Sequence, residues 1–185
     1  MENPSYLGEE ALLAGLEYIR HSPQDNGVLE LIVRRPQVDA REILEEGLLN
    51  IHEGLLGDSW KNRRSSRTSD GSPHPEMQLN IMNARVIALL APKKERWALA
   101  GDQLFIDFDL SADNLPPGTQ LSLGTAIIEV TAIPHLGCEK FMSRFGVEAV
   151  KFVNSEEGKV LHLRGINAKV VQNGLIRRGD RVRKI

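Results

Sequence analysis

The stretch Gln120-Leu121-Ser122-Leu123-Gly124-Thr125-Ala126-Ile127-Ile128-Glu129-Val130-Thr131 decides the fold class. Two short apolar runs flank Gly124-Thr125, and the second alternates around Glu129, the pattern of paired strands joined by a tight turn. The tail repeats the device: Gly165 to Val171, a turn at Gln172-Asn173-Gly174, Leu175-Ile176, a turn at Arg178-Gly179-Asp180, then Val182. Leu104 to Leu110 adds a further run that alternates in its last five residues. Short strands with glycine-rich turns leave many open edges unless the sheet closes on itself. The expectation is therefore a mainly β chain with a few short helices (α+β), built as a closed or partly closed β-barrel.

Working outward, Val28 to Val33 is a compact apolar, partly β-branched run closed by Pro36, which reads as a buried strand. Leu79 to Met82 and Val86 to Leu90 read as further strands. Leu12, Leu13, Leu16 and Ile19 recur at helical spacing and stop at His21-Ser22-Pro23, predicting an N-terminal helical extension within residues 1–27. Asp39 with Glu42 has capping-box spacing, and Ile43 and Leu44 lead to Gly47, predicting a very short second helix. Cys138 to Phe145 also reads as helix and interrupts the β pattern. From Lys61 to Pro75 apolar content vanishes and Arg63, Arg64 and Arg67 gather among Ser and Pro, so residues 61–75 are expected to form a flexible basic loop.

The totals narrow the function classes. At 185 residues and 41% hydrophobic content, a single domain over 1–185 with a genuine core is expected. Formal charge is only −2, from 23 basic and 25 acidic residues mixed along the chain, which gives no drive toward nucleic acid or anionic membranes. One cysteine makes no internal disulfide and holds no iron–sulfur cluster, and a reducing cytoplasm suits it best. Residues 1–21 show no apolar stretch long enough for a signal peptide or a membrane span.

That cysteine, Cys138, is the main chemical candidate. It lies in Pro134-His135-Leu136-Gly137-Cys138-Glu139-Lys140, where a strand gives way to a helix. A thiol near unpaired backbone N–H groups, with Lys140 and His135 close in sequence, favours the thiolate that bonds metals and attacks electrophiles. A small buried side chain is the plainer reading of a lone cysteine, and position alone leaves both open. His135-x-x-Cys138 resembles half a zinc site, but no second ligand pair at suitable spacing accompanies it. A nucleophilic pair of Cys138 with His162 or His52 is a further reading that spacing does not test. Gly54-Leu55-Leu56-Gly57-Asp58, leading into Arg63 and Arg64, offers backbone amides and guanidinium groups suited to a phosphate. Asn80, Asn83, Arg85 and Arg164 are polar groups in apolar surroundings; they either tether loops or meet a polar ligand.

Taken in order, Gly54 to Asp58, the strand region around 79–90, Gly101-Asp102-Gln103-Leu104, Leu115 to Thr119, the segment before Cys138, Phe145-Gly146, Arg164 to Ala168 and Gly179-Asp180 resemble the molybdenum-cofactor-sulfurase C-terminal (MOSC) family. The resemblance is collinear over about residues 28–184. It departs at Gly57-Asp58-Ser59-Trp60, at Gly101-Asp102-Gln103 and at Gly137 before the cysteine, where the family's usual residues differ. The resemblance implies a β-dominated barrel and a cysteine that serves as molybdenum ligand or as sulfur carrier. It implies the molybdenum cofactor (molybdopterin), with Cys138 as catalytic and metal-binding residue, and reduction of N-hydroxylated small molecules. A separate electron-donor or sulfur-donor protein would be the partner, because the chain has no attached ferredoxin-like or pyridoxal-phosphate domain. By their chemistry, Gly57, Asp58, Arg63, Arg64, Arg85, Lys140 and Arg164 are the expected cofactor contacts.

Overall fold

The computed structural model describes residues 6–185; the first five residues of the expected 1–27 extension lie outside it. The elements run α1 (Glu9–Ala14), α2 (Leu16–Arg20), β1 (Gly27–Arg34), β2 (Glu42–Leu44), β3 (Glu46–Asn50), β4 (Gly54–Leu55), β5 (Leu79–Asn83), α3 (Ala84–Leu90), β6 (Leu104–Asp107), β7 (Gln120–Leu123), β8 (Ala126–Val130), α4 (Glu139–Phe145), α5 (Val147–Asn154), α6 (Glu156–Val160), β9 (Ile166–Gln172), β10 (Gly174–Arg177) and β11 (Arg181–Lys184).

Seven strands close a ring in the order β1-β11-β7-β8-β9-β5-β6 and back to β1, a closed mixed barrel of the expected α+β class. A ring with an odd number of strands cannot be antiparallel throughout, and here the exception is β5 with β6. Parallel neighbours require a crossover, which α3 and the 3-10 segment Lys94–Ala100 provide on the outside of the barrel.

Period-2 alternation sends Leu121, Leu123, Ile128, Val130, Ala168 and Val170 into the barrel interior. Each large aliphatic side chain so buried stabilises by about 2 kcal/mol. On β1 the alternation breaks: Leu29 and Ile32 point inward while Leu31 and Val33 join a second core outside. A register shift between Leu29 and Leu31 against β6 accounts for the switch. That second core holds Leu12, Leu16 and Ile19 of α1 and α2, together with α3, Phe141, Phe145 and Phe152, against the barrel wall. A small sheet, β10-β3-β4, adds Leu49, Leu55 and Ile176 to the interior cluster.

Three local expectations are corrected. The expected helix at 39–47 is instead strand: Ile43 pairs with Val33, Leu44 with Ile32, and Gly47 lies in β3 opposite Ile176. Asp39 adopts φ 60°, a left-handed conformation unlike that of a helix cap. The expected strand at Val86–Leu90 is α3, started by Asn83, whose side chain accepts from the Arg85 backbone N–H. The N-terminal helix is divided at Gly15, and Leu13 on it is exposed. The segment 63–74 carries no helix or strand; a short 3-10 turn at Ser59–Asn62 precedes it.

Candidate functional site

The strand β8 runs out after Val130, and the chain crosses to α4 through Pro134 to Gly137. Asn154, at the end of α5, pins this segment twice: its Oδ1 accepts from Gly137 N–H at 2.8 Å and its Nδ2 donates to Gly137 O at 3.0 Å. Cys138 then sits at the N-cap of α4, its thiol exposed. The expectation that a helix begins at this cysteine holds, and the plainer reading of a buried thiol is overturned.

Cys138 lines a cleft of about 390 Å³. Arg35, Arg41, Arg63, Lys140, Arg144 and Arg164 also line it, converging from the end of β1, the loop after it, the basic loop, α4 and the turn before β9. Three carboxylates meet these six cations. Asp58 takes Arg35 through paired hydrogen bonds of 2.9 Å from Nε and Nη2. Asp102 takes Arg164 Nη1 at 2.8 and 3.0 Å, and Asp39 lies 3.0 Å from Arg144 and 3.9 Å from Lys140. Among the described residues Arg41 and Arg63 have no carboxylate partner. Arg41 donates to the Ala98 and Ala40 carbonyls, and Arg63 only to Ser59 Oγ.

The electrostatics follow from this imbalance. Arg63 remains open to solvent on one side, yet partial desolvation and repulsion from Arg35 bring its guanidinium down to about 10. Arg41 is also lowered, by burial and by Arg144 and Arg35. Both keep their charge at neutral pH, so the cleft has positive charge to spare for an anion. Burial pushes the Asp58 carboxyl up, but its hydrogen bonds from Arg35 outweigh that and leave it below the usual range. Burial raises the Asp102 carboxyl despite Arg164 beside it.

Several expected site residues converge here: Cys138, Lys140, Arg63 and Arg164 share the cleft. Arg64 lines a smaller neighbouring cavity that shares Arg35, Arg63 and Asn80 with it. Asp58 does not face the cleft; its side chain is 0% exposed and also caps the 3-10 turn by accepting from Trp60 N–H at 2.9 Å. Gly57 lies beside it against the Arg34 side chain. Arg85 is held away from the cleft, bonded to Asp107 and stacked on Tyr18. Neither His52 nor His162 lines the cleft, whereas His135 does. Among the described residues no group of three His, Cys, Asp or Glu side chains is placed to hold a metal ion.

Sequence reasoning missed Arg35, Arg41 and Arg144. Arg35 carried a usable signal, since a charge directly after a buried apolar strand must find a partner. Arg41 and Arg144 carried none, because only the fold brings them together.

The barrel is of a MOSC-like fold. Solved structures sharing it include the YUAD protein of Bacillus subtilis, with TM-score 0.60 and 16% identity over 85% of this chain and 94% of that one. YiiM of Escherichia coli aligns with TM-score 0.52 and 19% identity over 85% of this chain and 69% of that one. YiiM of Geobacillus stearothermophilus gives 0.51 and 12% over 89% and 74%. At such identities the likeness concerns the fold. No family model and no curated protein matches the sequence. Among the described residues no helix is long and apolar enough to cross a membrane.

Proposed function

We propose that this chain is a MOSC-type module that binds the molybdenum cofactor, with Cys138 as protein ligand to the metal and the arginine cleft as the seat of the cofactor's phosphate. One observation carries the reading: the exposed thiol opens into a cleft where Arg41 and Arg63 lack acidic partners. The donor set fits, because a soft thiolate suits a redox-active metal and guanidinium groups suit phosphate. At about 390 Å³ the cleft lies within the range of small-molecule and cofactor sites.

When bound, the cofactor supplies two-electron redox chemistry, which in this reading converts an N-hydroxylated compound to its N–H form and water with two electrons and two protons from outside the chain. The chain's own residues bind and orient. Arg41 and Arg63 hold the phosphate, Asp58 fixes Arg35 behind them, and Asn154 sets the position of the thiol. The electrons come from a separate donor protein.

Metal analysis tests this on protein made in a host that synthesises the cofactor. Molybdenum is expected in the wild type, reduced in Arg41→Ala/Arg63→Ala and absent in Cys138→Ser. Wild-type protein without molybdenum would sink the reading. The exposure of Cys138 favours one alternative, a non-enzymatic carrier that holds sulfur as a persulfide on this residue. Mass spectrometry after incubation with a persulfide donor, which leaves as its thiol, would then show one added sulfur at Cys138, lost on reduction.

A further inference from the structure

A second cavity, of about 400 Å³, lies against the opposite side of the segment that carries the cysteine. Its wall is hydrocarbon over most of its extent, from Leu115, Val130, Ile133, Pro134, Leu136 and Val153. Of the two cations that reach it, Arg164 is held by Asp102 in a buried pair, and Lys159 is half exposed, pairing with Glu156 at 3.0 Å in solvent. His135 adds no cation, since burial and the nearby Arg164 and Arg35 hold its imidazole well below the ordinary value.

Two side chains, His135 and Arg164, line this cavity and the Cys138 cleft alike. Between residues 134 and 138 the chain is thus a partition, with Pro134 and Leu136 on the apolar side and Cys138 on the basic side. The partition is also where hydrogen bonding is incomplete. Arg164 is 6% exposed and its Nε has no partner; His135 Nδ1 is buried, 3.5 Å from Asp102 Oδ1, and likewise makes no hydrogen bond. Buried polar groups left unpaired are uncommon; both of these atoms are sealed within the partition itself, out of contact with either cavity.

We propose that this cavity is a second small-molecule site, selective for an uncharged, mainly aromatic or hydrocarbon ligand, one side chain from the Cys138 cleft. A charged ligand loses its hydration against a wall that is mostly hydrocarbon, while a neutral one exchanges water for apolar contact. The inference stands apart from the metal reading, for it needs neither the thiol nor a cofactor.

Three probes of nearly one shape test it by titration calorimetry: naphthalene-2-carboxamide, 2-naphthoate and 2-naphthylmethylammonium. The neutral amide is expected to bind at least tenfold more tightly than either ion. Ala132→Trp, at an exposed position on the lining, should weaken it at least tenfold, and Ala112→Trp, also exposed, serves if the first variant does not fold. Cys138→Ser should leave the affinity unchanged, which separates this outcome from the molybdenum assay. Absence of amide binding, equal binding of an ion, or indifference to the tryptophan that folds would overturn the proposal.

Discussion

Replacing Asp58 by alanine distinguishes a supporting role from direct contact with a ligand. The carboxylate accepts four hydrogen bonds of 2.9 Å, from Arg35 N, Nε and Nη2 and from Trp60 N. Its side chain is fully buried and that of Arg35 is 3% exposed. Asp58→Ala leaves the guanidinium with Asn80 Oδ1 and the Gly101 carbonyl but with no counter-charge. Breaking one side of a buried pair costs about 3–5 kcal/mol. For a chain of this size each kcal/mol is worth about 2–4 °C, so the melting temperature should fall by about 10 °C. Asp58→Asn keeps the shape and should cost less. The folded carboxyl lies below its ordinary 3.8, so its contribution is complete above that value and disappears as pH falls through the folded value. The gap between wild type and Asp58→Asn, followed by urea unfolding, should therefore close below about pH 4. A loss under about 1 kcal/mol in Asp58→Ala, combined with loss of bound cofactor, would refute the reasoning and make Asp58 a direct ligand contact.

Other substitutions probe neighbouring parts. Gly165 has φ 110°, and a Cβ there would lie 2.2 Å from the Ile81 carbonyl oxygen; Gly165→Ala should cost about 3 kcal/mol or more in chemical unfolding, and a neutral outcome would contradict that contact. His135 resists protonation in the fold, so below its ordinary 6.5 the unfolded chain binds the extra proton and stability falls as pH falls, by up to about 1.4 kcal/mol per unit. His135→Gln should flatten the wild-type slope between about pH 6.5 and 5, and an unchanged slope would show that His135 is not its source. Native Cys138 should react completely with iodoacetamide without denaturant, as intact-mass measurement would show; a need for urea would contradict its exposure.

The parts legible in sequence were those governed by local rules. Gly124-Thr125 sets a turn between alternating runs, and the β7–β8 hairpin formed as expected; at Asn173 the chain instead leaves the barrel, and β10 pairs with β3 rather than folding back on β9. At Asp39 to Gly47 the capping-box spacing competed with long-range pairing to β1, and the ladder to Val33 prevailed. Val86 to Leu90 shows the reverse: a short apolar run fits either period, and the decisive fact was Asn83, whose amide also donates to Ser22 Oγ and the Phe108 carbonyl. The helix α5 went unread because it is short and its apolar residues Val147, Ala149, Val150, Phe152 and Val153 fit no single period cleanly, and α6 because Val160 is its only apolar side chain. At the site, the cysteine and part of its basic surroundings could be named, but the spare charge of the cleft rests on which arginines lack carboxylates. That is a property of pairings across the fold, such as Arg35 with Asp58 and Arg144 with Asp39.

The seam that joins Gly27 to Val182 and Val28 to Arg181 sets a condition on how the molecule is made. The first stave of the ring is laid down early in the chain and waits for its neighbour until nearly every other strand has formed. Such remote pairing slows folding, because loop entropy is spent before the contact rewards it. Until that moment the Gly27–Val28 end of β1 presents an unpaired edge, and the half-built sheet is at its most open to association with other chains. Weakening the seam, for instance with Val182→Pro, should therefore lower recovery on refolding more than it alters molecules that have already closed.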